Sequence, residues 1–399
     1  MPRAPRADDE SVPRLHPLTL PAALSLAAGV LVAAPGPSTA ASCAPTPTLL
    51  SRSPNLTRSM PGGGTMRVWD TGPTSDPYKS IRLVAVRYPA SAAIRQRVLT
   101  TPTVTQVAVP STYAKSDTRA VLVINGGFFD AARAALPVGP QLKDGHLYKA
   151  TSSATPVVAT LTNGHTAYST LAVAGTVTGG GHSWKVVGLN HQSVSGSGVS
   201  VYTPDWGPQS RPLGTVDIVV KSGKVIAKRT GSYRGKPVAA GTVVLTATST
   251  PGSQLAALPV GAAVSVSYHS VLGRSDMRSA IGSGGRRIYK GAVWPECTTR
   301  SEDLRPRSAI GWTQSGDLIV MTVSGRATKD GVRWGGATAH QVGDYMKTLG
   351  AYEAISLDGG TSTTMVVRYA VGGTVYRVDR AAGDSQRAVP NVIAIEPTG

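Results

Sequence analysis

Two segments of the chain share one pattern: a mostly apolar run, then a polar residue, then two glycines. Residues 121–124 (Val-Leu-Val-Ile) lead into Asn125-Gly126-Gly127, and residues 354–357 (Ala-Ile-Ser-Leu) lead into Asp358-Gly359-Gly360. Short apolar runs bounded by glycine are typical of buried strands. Paired glycines let the main chain approach a ligand closely and expose N–H donors that suit anionic oxygens. The pattern therefore predicts two strand ends that contribute to one binding site.

Further strands and hairpins follow from alternation and from turn residues. Strand signals begin at residues 66–69, and residues 81–87 partly alternate between apolar and polar, which predicts a half-buried strand. Hairpins are predicted where Asp-Gly or Ser-Gly separates two apolar flanks, at residues 142–148, 218–226 and 312–320. The sequence contains no fixed-period repeat, which argues against a propeller or a solenoid.

One helix is predicted in detail. Thr338 and Gln341 have the spacing of a capping box, and Gly350 is the expected terminator. Between them, apolar side chains fall on one helical face: Val342, Tyr345, Met346 and Leu349. Because a buried strand follows at once, this helix is expected to pack on the sheet. The pattern as a whole predicts an α+β fold with a large mixed β-sheet core, a few packed helices and the site at strand ends.

Composition supports a globular protein and suggests its domain boundaries. Of the 399 residues, 41% are hydrophobic and 16% charged, which is typical of a folded chain and not of a disordered one. Residues 43–65 are rich in Pro, Ser, Thr and Gly, which predicts a linker. The main domain is then expected to span residues 66–399.

The N-terminus has the features of an export signal, predicted to cover residues 1–42. Arginines precede an apolar stretch at residues 18–34, and small residues follow it. Pro, Ser and Gly interrupt the stretch, which barely reaches spanning length, so a retained anchor is the less favoured interpretation. No later segment is long and apolar enough to span a bilayer. We therefore predict a secreted mature chain with no membrane span.

Cys43 and Cys297 are the only cysteines. In an exported chain an even pair favours a disulfide, which here would tie the mature N-terminus to a distant loop. The alternative is lipidation of Cys43, because residues 40–43 (Ala-Ala-Ser-Cys) form a degraded lipidation box. The disulfide is the preferred interpretation.

The formal charge of +18 bears on the partner. A field of this sign concentrates polyanions near the surface. The charges are scattered, without a lysine tract or interleaved aromatics, so no nucleic-acid partner is indicated. An anionic glycan or glycosyl-phosphate polymer of the cell envelope fits an exported protein better, and we predict it as the partner.

Metal and cofactor signals are weak. His340 and Asp344 lie four apart on the predicted helix, a spacing that is usually solvated surface. The sequence has no Cys/His cluster and no local signature of a serine, histidine and acid triad. We predict no metal and no cofactor.

Several motifs resemble those of the phosphodiester glycosidase family and occur in the family's order. Residues 125–129 (Asn-Gly-Gly-Phe-Phe) resemble its strand–turn signature. The later segments are similar to the family's Arg-Thr-Ala-Ile-Gly, Val-Asp-Gly-Arg, Leu-Asp-Gly-Gly-Gly-Ser-Ser-Thr-Met and closing strand, at residues 307–311, 323–326, 357–365 and 389–391. The match is loose over residues 66–397 and tight over residues 121–130 and 305–366. Each motif alone is weak, whereas four in one order are specific.

This resemblance implies a hydrolase that releases a sugar from a glycosyl 1-phosphodiester. A phosphodiester is already a good leaving group, so the site must hold its charge, stabilise a developing oxocarbenium ion and position the nucleophile. Asp358 is then the candidate carboxylate near the anomeric carbon, as base, nucleophile or electrostatic stabiliser. Arg307 and Arg326 are candidates for the phosphate, because guanidinium binds phosphate in bidentate fashion.

Further residues complete the predicted site. Asn125 joins Asp358 and Arg307 in the catalytic set, and the Asn125 amide and Ser362 hydroxyl are expected to contact sugar hydroxyls or phosphate. Donors to the phosphate are also expected from the N–H groups of Gly126, Gly127, Gly359 and Gly360. Against this stands the simpler interpretation that Asp-Gly-Gly after a strand is only a turn. Phe128 and Phe129 are expected to pack in the core and not to stack on a sugar.

Two residues depart from the family's pattern. Ser324 stands where the family has an acid, and Thr361 stands where it has a glycine. These departures keep a second hypothesis open, a catalytically weak protein that binds envelope polysaccharide on the same fold.

Overall fold

The computed structural model describes residues 43, 45–72, 80–132, 135–294, 297, 303–324, 328–329, 332–333, 335–380 and 385–398. The predicted export signal, residues 1–42, lies outside this part of the chain, so its cleavage stays a prediction. Within the described ranges, no helix is both long enough and apolar enough to cross a membrane.

Helices are few and short. They are α1 (Pro110–Ser116), α2 (Ser249–Ala257) and α3 (Ala339–Thr348), with short 3₁₀ turns at Leu49–Ser51, Pro204–Trp206 and Gly360–Ser362.

Strands make up nearly half of the described structure. In the first half they are β1 (Leu56–Met60), β2 (Gly64–Asp70), β3 (Arg82–Tyr88), β4 (Ile94–Thr100), β5 (Leu122–Asn125), β6 (Phe129–Asp130), β7 (Leu136–Pro137), β8 (Gln141–Lys143), β9 (His146–Thr151), β10 (Thr155–Leu161), β11 (Thr166–Gly179), β12 (His182–Leu189) and β13 (Val199–Tyr202). In the second half they are β14 (Leu213–Lys221), β15 (Lys224–Arg234), β16 (Val243–Ala247), β17 (Val264–Leu272), β18 (Met277–Gly282), β19 (Arg286–Tyr289), β20 (Ala292–Val293), β21 (Arg307–Trp312), β22 (Leu318–Val323), β23 (Thr328–Lys329), β24 (Val332–Arg333), β25 (Glu353–Ser356), β26 (Met365–Val367), β27 (Tyr376–Arg377) and β28 (Asn391–Pro397).

Three large sheets organise these strands. An eight-stranded sheet has the order β1-β2-β3-β22-β21-β25-β19-β20, and a five-stranded sheet has the order β27-β26-β5-β28-β4. An eleven-stranded sheet has the order β15-β14-β16-β13-β12-β9-β8-β18-β10-β11-β17, with one parallel pairing, between β12 and β13. The predicted α+β fold with a large mixed β core is confirmed.

The eight- and five-stranded sheets pack face to face, and one helix covers each outer face. Val86 and Ile310 of the first sheet share a core with Ile124 and Ile393 of the second. The other face of the first sheet packs on Val342, Tyr345 and Met346 of α3. On the outer face of the second sheet lie Tyr113 and Ala114 of α1. The resulting four layers hold the strand ends that carry the two strand–glycine motifs in fixed positions.

Local sequence signals are well reproduced. The Thr338 hydroxyl accepts from the Gln341 N–H, and the Gln341 side chain accepts from the Thr338 N–H, so the predicted capping box is present. Strand β25 follows α3 as expected. The hairpin of β8 and β9 turns through Asp144 (φ 49°) and Gly145 (φ 83°), the left-handed pair that an Asp-Gly turn supplies.

Two sequence-based expectations differ from the structure. Strand β1 lies inside the segment predicted as a linker, because its polar, exposed residues pair edge-on with β2 and contribute little apolar pattern. Strand β3 was expected to be half-buried, yet five of its seven residues are buried. It lies between β2 and β22, with α3 on one face and the five-stranded sheet on the other, so both faces are covered.

The N-terminal end of the described chain is attached to α3. Cys43 and Cys297 form a disulfide with a Cα–Cα distance of 5.1 Å, as the preferred interpretation predicted. The Gln341 side-chain amide donates to the Pro45 carbonyl at 2.9 Å, and the Thr46 hydroxyl donates to Asp344. The segment that precedes β1 is thus linked covalently to Cys297 and held on α3 by polar contacts.

Candidate active site

The two strand–glycine segments meet where their strands end. The Asp358 N–H donates to the Gly126 carbonyl at 2.9 Å, which joins the two predicted turns directly. On its other side, the segment after β25 pairs with the start of β21: the Leu357 N–H donates to Ser308 at 2.9 Å and the Gly360 N–H donates to Pro306 at 2.8 Å. Asp358 therefore sits between Gly126 and the segment that carries Arg307.

Asn125 cross-links this junction. Its side-chain amide donates to the Asp358 carbonyl at 2.7 Å. Its Oδ1 accepts from the Ser308 hydroxyl at 2.6 Å and from the Thr364 N–H at 3.2 Å. Asn125 is fully buried, so these bonds use its amide within the protein. In this structure the amide bridges Asp358, Ser308 and Thr364, and its expected contact with a sugar stays a prediction.

The paired glycines serve close packing and turn geometry. A Cβ on Gly126 would lie 2.1 Å from the Asn391 side-chain oxygen, and one on Gly127 would lie 2.3 Å from the Gly282 carbonyl. Their N–H groups donate to Asn391, at 3.0 and 2.9 Å. The expectation that they offer donors to a phosphate is therefore wrong in this conformation.

The glycines after Asp358 are also engaged internally. The Gly359 N–H donates to the Asp358 carboxylate at 2.9 Å, and the Gly360 N–H is taken by Pro306. Gly360 has φ 62°, a left-handed conformation that most side chains disfavour. These glycines shape the turn that presents Asp358, and they do not provide free N–H groups.

Asp358 is the carboxylate that the junction presents. It is half-buried, and desolvation of its carboxyl raises the pKa above the ordinary value of 3.8. The Ser362 hydroxyl, the Gly359 N–H and the charge of Arg387 offset part of that rise. Ser362 is fully buried, so its hydroxyl lies beside Asp358 within the protein and is not exposed as a sugar ligand would be. A partly desolvated carboxylate of this kind is a functional candidate.

Arg387 is the cation whose charge reaches Asp358, and the sequence motifs did not include it. Its guanidinium lies 4.8 Å from the centre of the Phe129 ring and donates to the Thr361 hydroxyl at 2.9 Å. Thr361 stands where the resembling motif has a glycine, and a glycine could not accept this hydrogen bond from Arg387. The only available signal in the sequence was an arginine just before the closing-strand motif at residues 389–391.

Arg307 lies beside the turn, but its guanidinium forms hydrogen bonds within the protein. Its Cδ lies 3.6 Å from the position of a Cβ on Gly359, so the side chain runs along the Asp358 turn. Its Nε donates to the Ala337 carbonyl and its Nη2 to the Asp303 carbonyl, both at 2.9 Å. Arg326, the other predicted phosphate ligand, lies outside the described residues.

The two phenylalanines do not behave alike. Phe128 is 41% exposed, so the expectation that it packs in the core is wrong. Its ring edge would lie 2.5 Å from a Cβ on Gly284, which shows that this glycine leaves room for the ring. Phe129 is half-buried and carries Arg387 on its face. The turn therefore presents one aromatic ring to solvent and uses the other to hold a cation.

Ser324 occupies a buried, uncharged position. Its hydroxyl donates to the Asp379 carbonyl, and its N–H donates to the Arg82 carbonyl at 2.7 Å. The Asp379 carboxylate nearby is fully buried and paired with Arg377 at 3.0 Å. Replacement of the family's acid by Ser324 thus leaves no carboxylate at that position.

One group of potential metal ligands is present among the described residues. Cys43, Cys297 and His340 bring their ligand atoms within 4.8 Å of one another. The disulfide occupies both sulfurs, and thiolate is the form of cysteine that binds metal. His340 lies on α3, and none of the three residues is part of the Asp358 junction.

Comparison with known proteins shows a family similarity over the part of the chain that carries Asp358. A family model described as phosphodiester glycosidase matches residues 214–396, which include Arg307, Asp358 and Arg387. The resemblance predicted from the motifs is confirmed over these residues, which match the family model. No protein with a curated description matches the sequence significantly.

Two solved structures have a similar fold, and a third is matched less closely. One described as a hypothetical protein from Synechocystis is 23% identical, with a TM-score of 0.64, and the match covers 85% of this chain but only 63% of that one. A "Putative exported protein" from Burkholderia pseudomallei is 19% identical, with a TM-score of 0.60 and 80% and 74% coverage. The catalytic domain of zebrafish N-acetylglucosamine-1-phosphodiester alpha-N-acetylglucosaminidase, auto-inhibited by its pro-peptide, is matched at 16% identity and a TM-score of 0.41, with 88% and 91% coverage. This chain spans less than two thirds of the Synechocystis protein.

Proposed function

We propose that the protein is a secreted hydrolase that cleaves a sugar from a glycosyl 1-phosphodiester in cell-envelope or extracellular polysaccharide. The observation that carries the proposal is the junction of strand ends around Asp358, which lies in the segment matched by the phosphodiester glycosidase family. A carboxylate whose pKa is raised by desolvation, with a cation beside it, is suited to a reaction that develops positive charge on a sugar and negative charge on a phosphate.

In this proposal the residues of the site have separate roles. Asp358 faces the anomeric carbon and acts as base, nucleophile or electrostatic stabiliser of the oxocarbenium ion. Arg387 binds the phosphate, because its guanidinium is held by Thr361 and Phe129 beside Asp358. Arg307 and Asn125 position the turn. Because the phosphodiester leaves as a stable anion, the site needs no strong acid at the position of Ser324.

Two general properties of the chain support the proposed extracellular location and the polymeric substrate. A disulfide is typical of an oxidising, extracellular compartment. The formal charge of +18 favours an anionic glycan or glycosyl-phosphate polymer as the partner. Export through the segment 1–42 would place the protein with such a polymer.

One assay tests the proposal against its alternative. The mature protein is incubated separately with UDP-N-acetylglucosamine and with a glycosyl-phosphate teichoic acid, and free reducing sugar is measured over time. Release of sugar from either supports the hydrolase. Binding of the teichoic acid without release would instead support the catalytically weak polysaccharide-binding protein, which Ser324 and Thr361 kept open.

The pH dependence of turnover should report on Asp358. Its raised pKa means that the carboxyl keeps its proton at pH values where an ordinary aspartate is ionised. If the carboxylate is the active form, kcat/KM rises with pH through an acidic limb that lies above 3.8. A pH–rate profile measures this limb, and a limb at or below the ordinary value would contradict the assignment of Asp358.

Substitution of the two arginines should separate phosphate binding from positioning. Arg387→Lys keeps the charge but loses the planar fork, so kcat/KM for phosphodiesters should fall about tenfold or more, with a much smaller effect on neutral glycosides. Arg307→Lys should affect both substrate classes alike, because it loses bonds to Ala337 and Asp303.

A matched control is Arg274→Lys, an exposed arginine paired with Asp276 on the surface. It should leave both activities unchanged. Equal losses for both substrate classes in Arg387→Lys would show that this arginine does not bind the phosphate.

A further inference from the structure

Phe128 presents an aromatic ring to solvent beside the Asp358 turn, and its residue is 41% exposed. The main chain around it is fixed on both sides. The Gly127 N–H donates to the Asn391 side chain at 2.9 Å, and the Phe128 carbonyl accepts from the Val138 N–H at 2.8 Å. A ring on a turn held in this way loses little freedom when it binds a ligand.

The Phe128 ring lies on the same side of the chain as the Asp358 carboxylate. A Cβ on Gly284 would lie 2.5 Å from the ring edge and 3.1 Å from the Ser356 Cβ, so the ring and Ser356 are neighbours. Leu357 packs in the core between the eight- and five-stranded sheets. Because side chains alternate along an extended chain, Ser356 and Asp358 both point away from that core. Residues two apart along a strand are only about 7 Å apart, which places the ring close to Asp358.

The cation near Asp358 comes from a different direction. Phe129, which carries the Arg387 guanidinium on its face, packs against the core on the α1 side of the five-stranded sheet. The Phe128 ring lies instead against Gly284 and the end of β25, in the eight-stranded sheet. Asp358 is therefore near an aromatic ring held by one sheet and near a cation held by the other.

This arrangement matches the order of groups in a glycosyl 1-phosphodiester. Such a substrate has an anion next to the anomeric carbon and, beyond that carbon, a neutral sugar ring with an apolar C–H face. The face of an aromatic ring is apolar and carries partial negative charge, so it suits C–H groups and disfavours an anion. The phosphate then belongs with Arg387 and the sugar ring with Phe128.

We propose that Phe128 is the stacking surface for the neutral pyranose that the reaction releases, and that it contributes to the choice of sugar. The reaction itself rests on the proposed function. Binding of a sugar to the Phe128 ring is measured without turnover, so the two can fail separately.

The test uses the fact that the chain contains only two phenylalanines. Mature protein labelled with para-fluorophenylalanine gives two fluorine NMR signals, which Phe128→Leu assigns. It is titrated separately with N-acetylglucosamine, glucose, mannose and inorganic phosphate. We expect at least one sugar to shift the Phe128 signal saturably, with little change at Phe129. Phosphate should shift the Phe129 signal, because Arg387 lies on the face of that ring.

Three substitutions locate the sugar on the ring, with affinity measured by ligand-observed NMR. Phe128→Leu removes the aromatic face and should weaken the sugar roughly three- to tenfold, whereas Phe128→Tyr should retain binding. Gly284→Ala keeps the ring but displaces it, because the added Cβ would lie 2.5 Å from the ring edge. Gly284 does not have a left-handed φ, so alanine suits its main chain, and the same loss of affinity is expected.

The matched control is Tyr376→Leu, which removes a 47% exposed ring from β27. Tyr376 pairs with Val367, and Val367 pairs with Leu122 at the opposite end of β5 from Asn125. This variant should bind the sugar as the parent does.

The outcomes separate the inference from the proposed function. If no sugar shifts the Phe128 signal, or if Phe128→Leu binds the sugar as tightly as the parent, Phe128 is not a stacking surface, even where the assay above shows release of sugar. The titration of the labelled parent decides the matter if Phe128→Leu fails to fold. A saturable shift of the Phe128 signal by a sugar, in a protein that releases none, would support the inference and count against the hydrolase alone.

Discussion

Asp358→Asn is expected to lower the turnover of a glycosyl 1-phosphodiester by roughly 10²–10⁴-fold, the range for loss of a catalytic acid or base. The substitution keeps the shape of the side chain and removes its charge. Two bonds that hold the turn do not involve the carboxylate and should remain: the Asp358 N–H donates to the Gly126 carbonyl, and the Asn125 side-chain amide donates to the Asp358 carbonyl. The measurement is kcat/KM on the substrate that releases sugar in the assay above.

The same variant should not lose stability. Because burial raises the folded-state pKa of Asp358, the unfolded chain releases this proton at a lower pH than the folded protein. Stability of the parent therefore falls as the pH rises from the unfolded to the folded pKa, whereas asparagine has no proton to release. Relative to the parent, Asp358→Asn should gain stability across this window, and thermal unfolding at several pH values measures the gain.

Loss of activity together with equal or higher stability is the signature of a residue kept for function. The control is Asp276→Asn, a surface aspartate whose carboxylate pairs with Arg274 and which lies outside the Asp358 junction. It should retain full activity. A correctly folded Asp358→Asn protein that turns over at the parental rate would remove Asp358 from the mechanism.

Removal of the Cys43–Cys297 disulfide should lower the free energy of unfolding by up to about 5 kcal/mol. The bond closes a loop with a sequence separation of 254, and in the chain-entropy model long loops give the largest effect. The loss should be smaller if the polar contacts of Pro45 and Thr46 to α3 keep the N-terminal segment in place. Urea unfolding of Cys43→Ala, compared with the parent with and without reductant, measures the difference.

A double-mutant comparison separates the bond from the side chains. Cys43→Ala, Cys297→Ala and the double variant should be destabilised alike, because each breaks the same bond. Thiol labelling of the denatured, non-reduced mature protein should find no free cysteine. Labelling at Cys297, with partition of the protein into detergent, would instead show that Cys43 is lipidated.

Structural elements that depend on residues close together in the sequence were predictable. The capping box of α3 depends on Thr338 and Gln341, three residues apart, and the turn of the β8–β9 hairpin depends on Asp144 and Gly145. In both cases the deciding interaction lies within a few residues of the chain. The apolar runs before Asn125 and Asp358 likewise predicted buried strands. A short apolar run is buried in a sheet whichever strands lie next to it, so this prediction did not depend on strand order.

The role of a polar group could not be predicted where its hydrogen-bond partner is distant in sequence. The glycine N–H groups after Asn125 were expected to be free, but Asn391 occupies them. Asn125 itself was assigned to the substrate, although its amide joins three segments that are far apart in sequence. Nothing local distinguishes a free polar group from an occupied one, because the competing partner is brought by the sheet.

The sequence by itself thus determined the fold class, the helix and hairpin signals and the pair of turns that present Asp358, because these follow from periodicity and short-range hydrogen bonds. Only the tertiary structure decided that Arg387 is the cation beside Asp358 and that Phe128 is exposed. Each of these depends on strand order and register between residues far apart in the chain. Strand pairing fixes the distance between such residues, and the residue pattern of one strand does not specify which strand lies next to it.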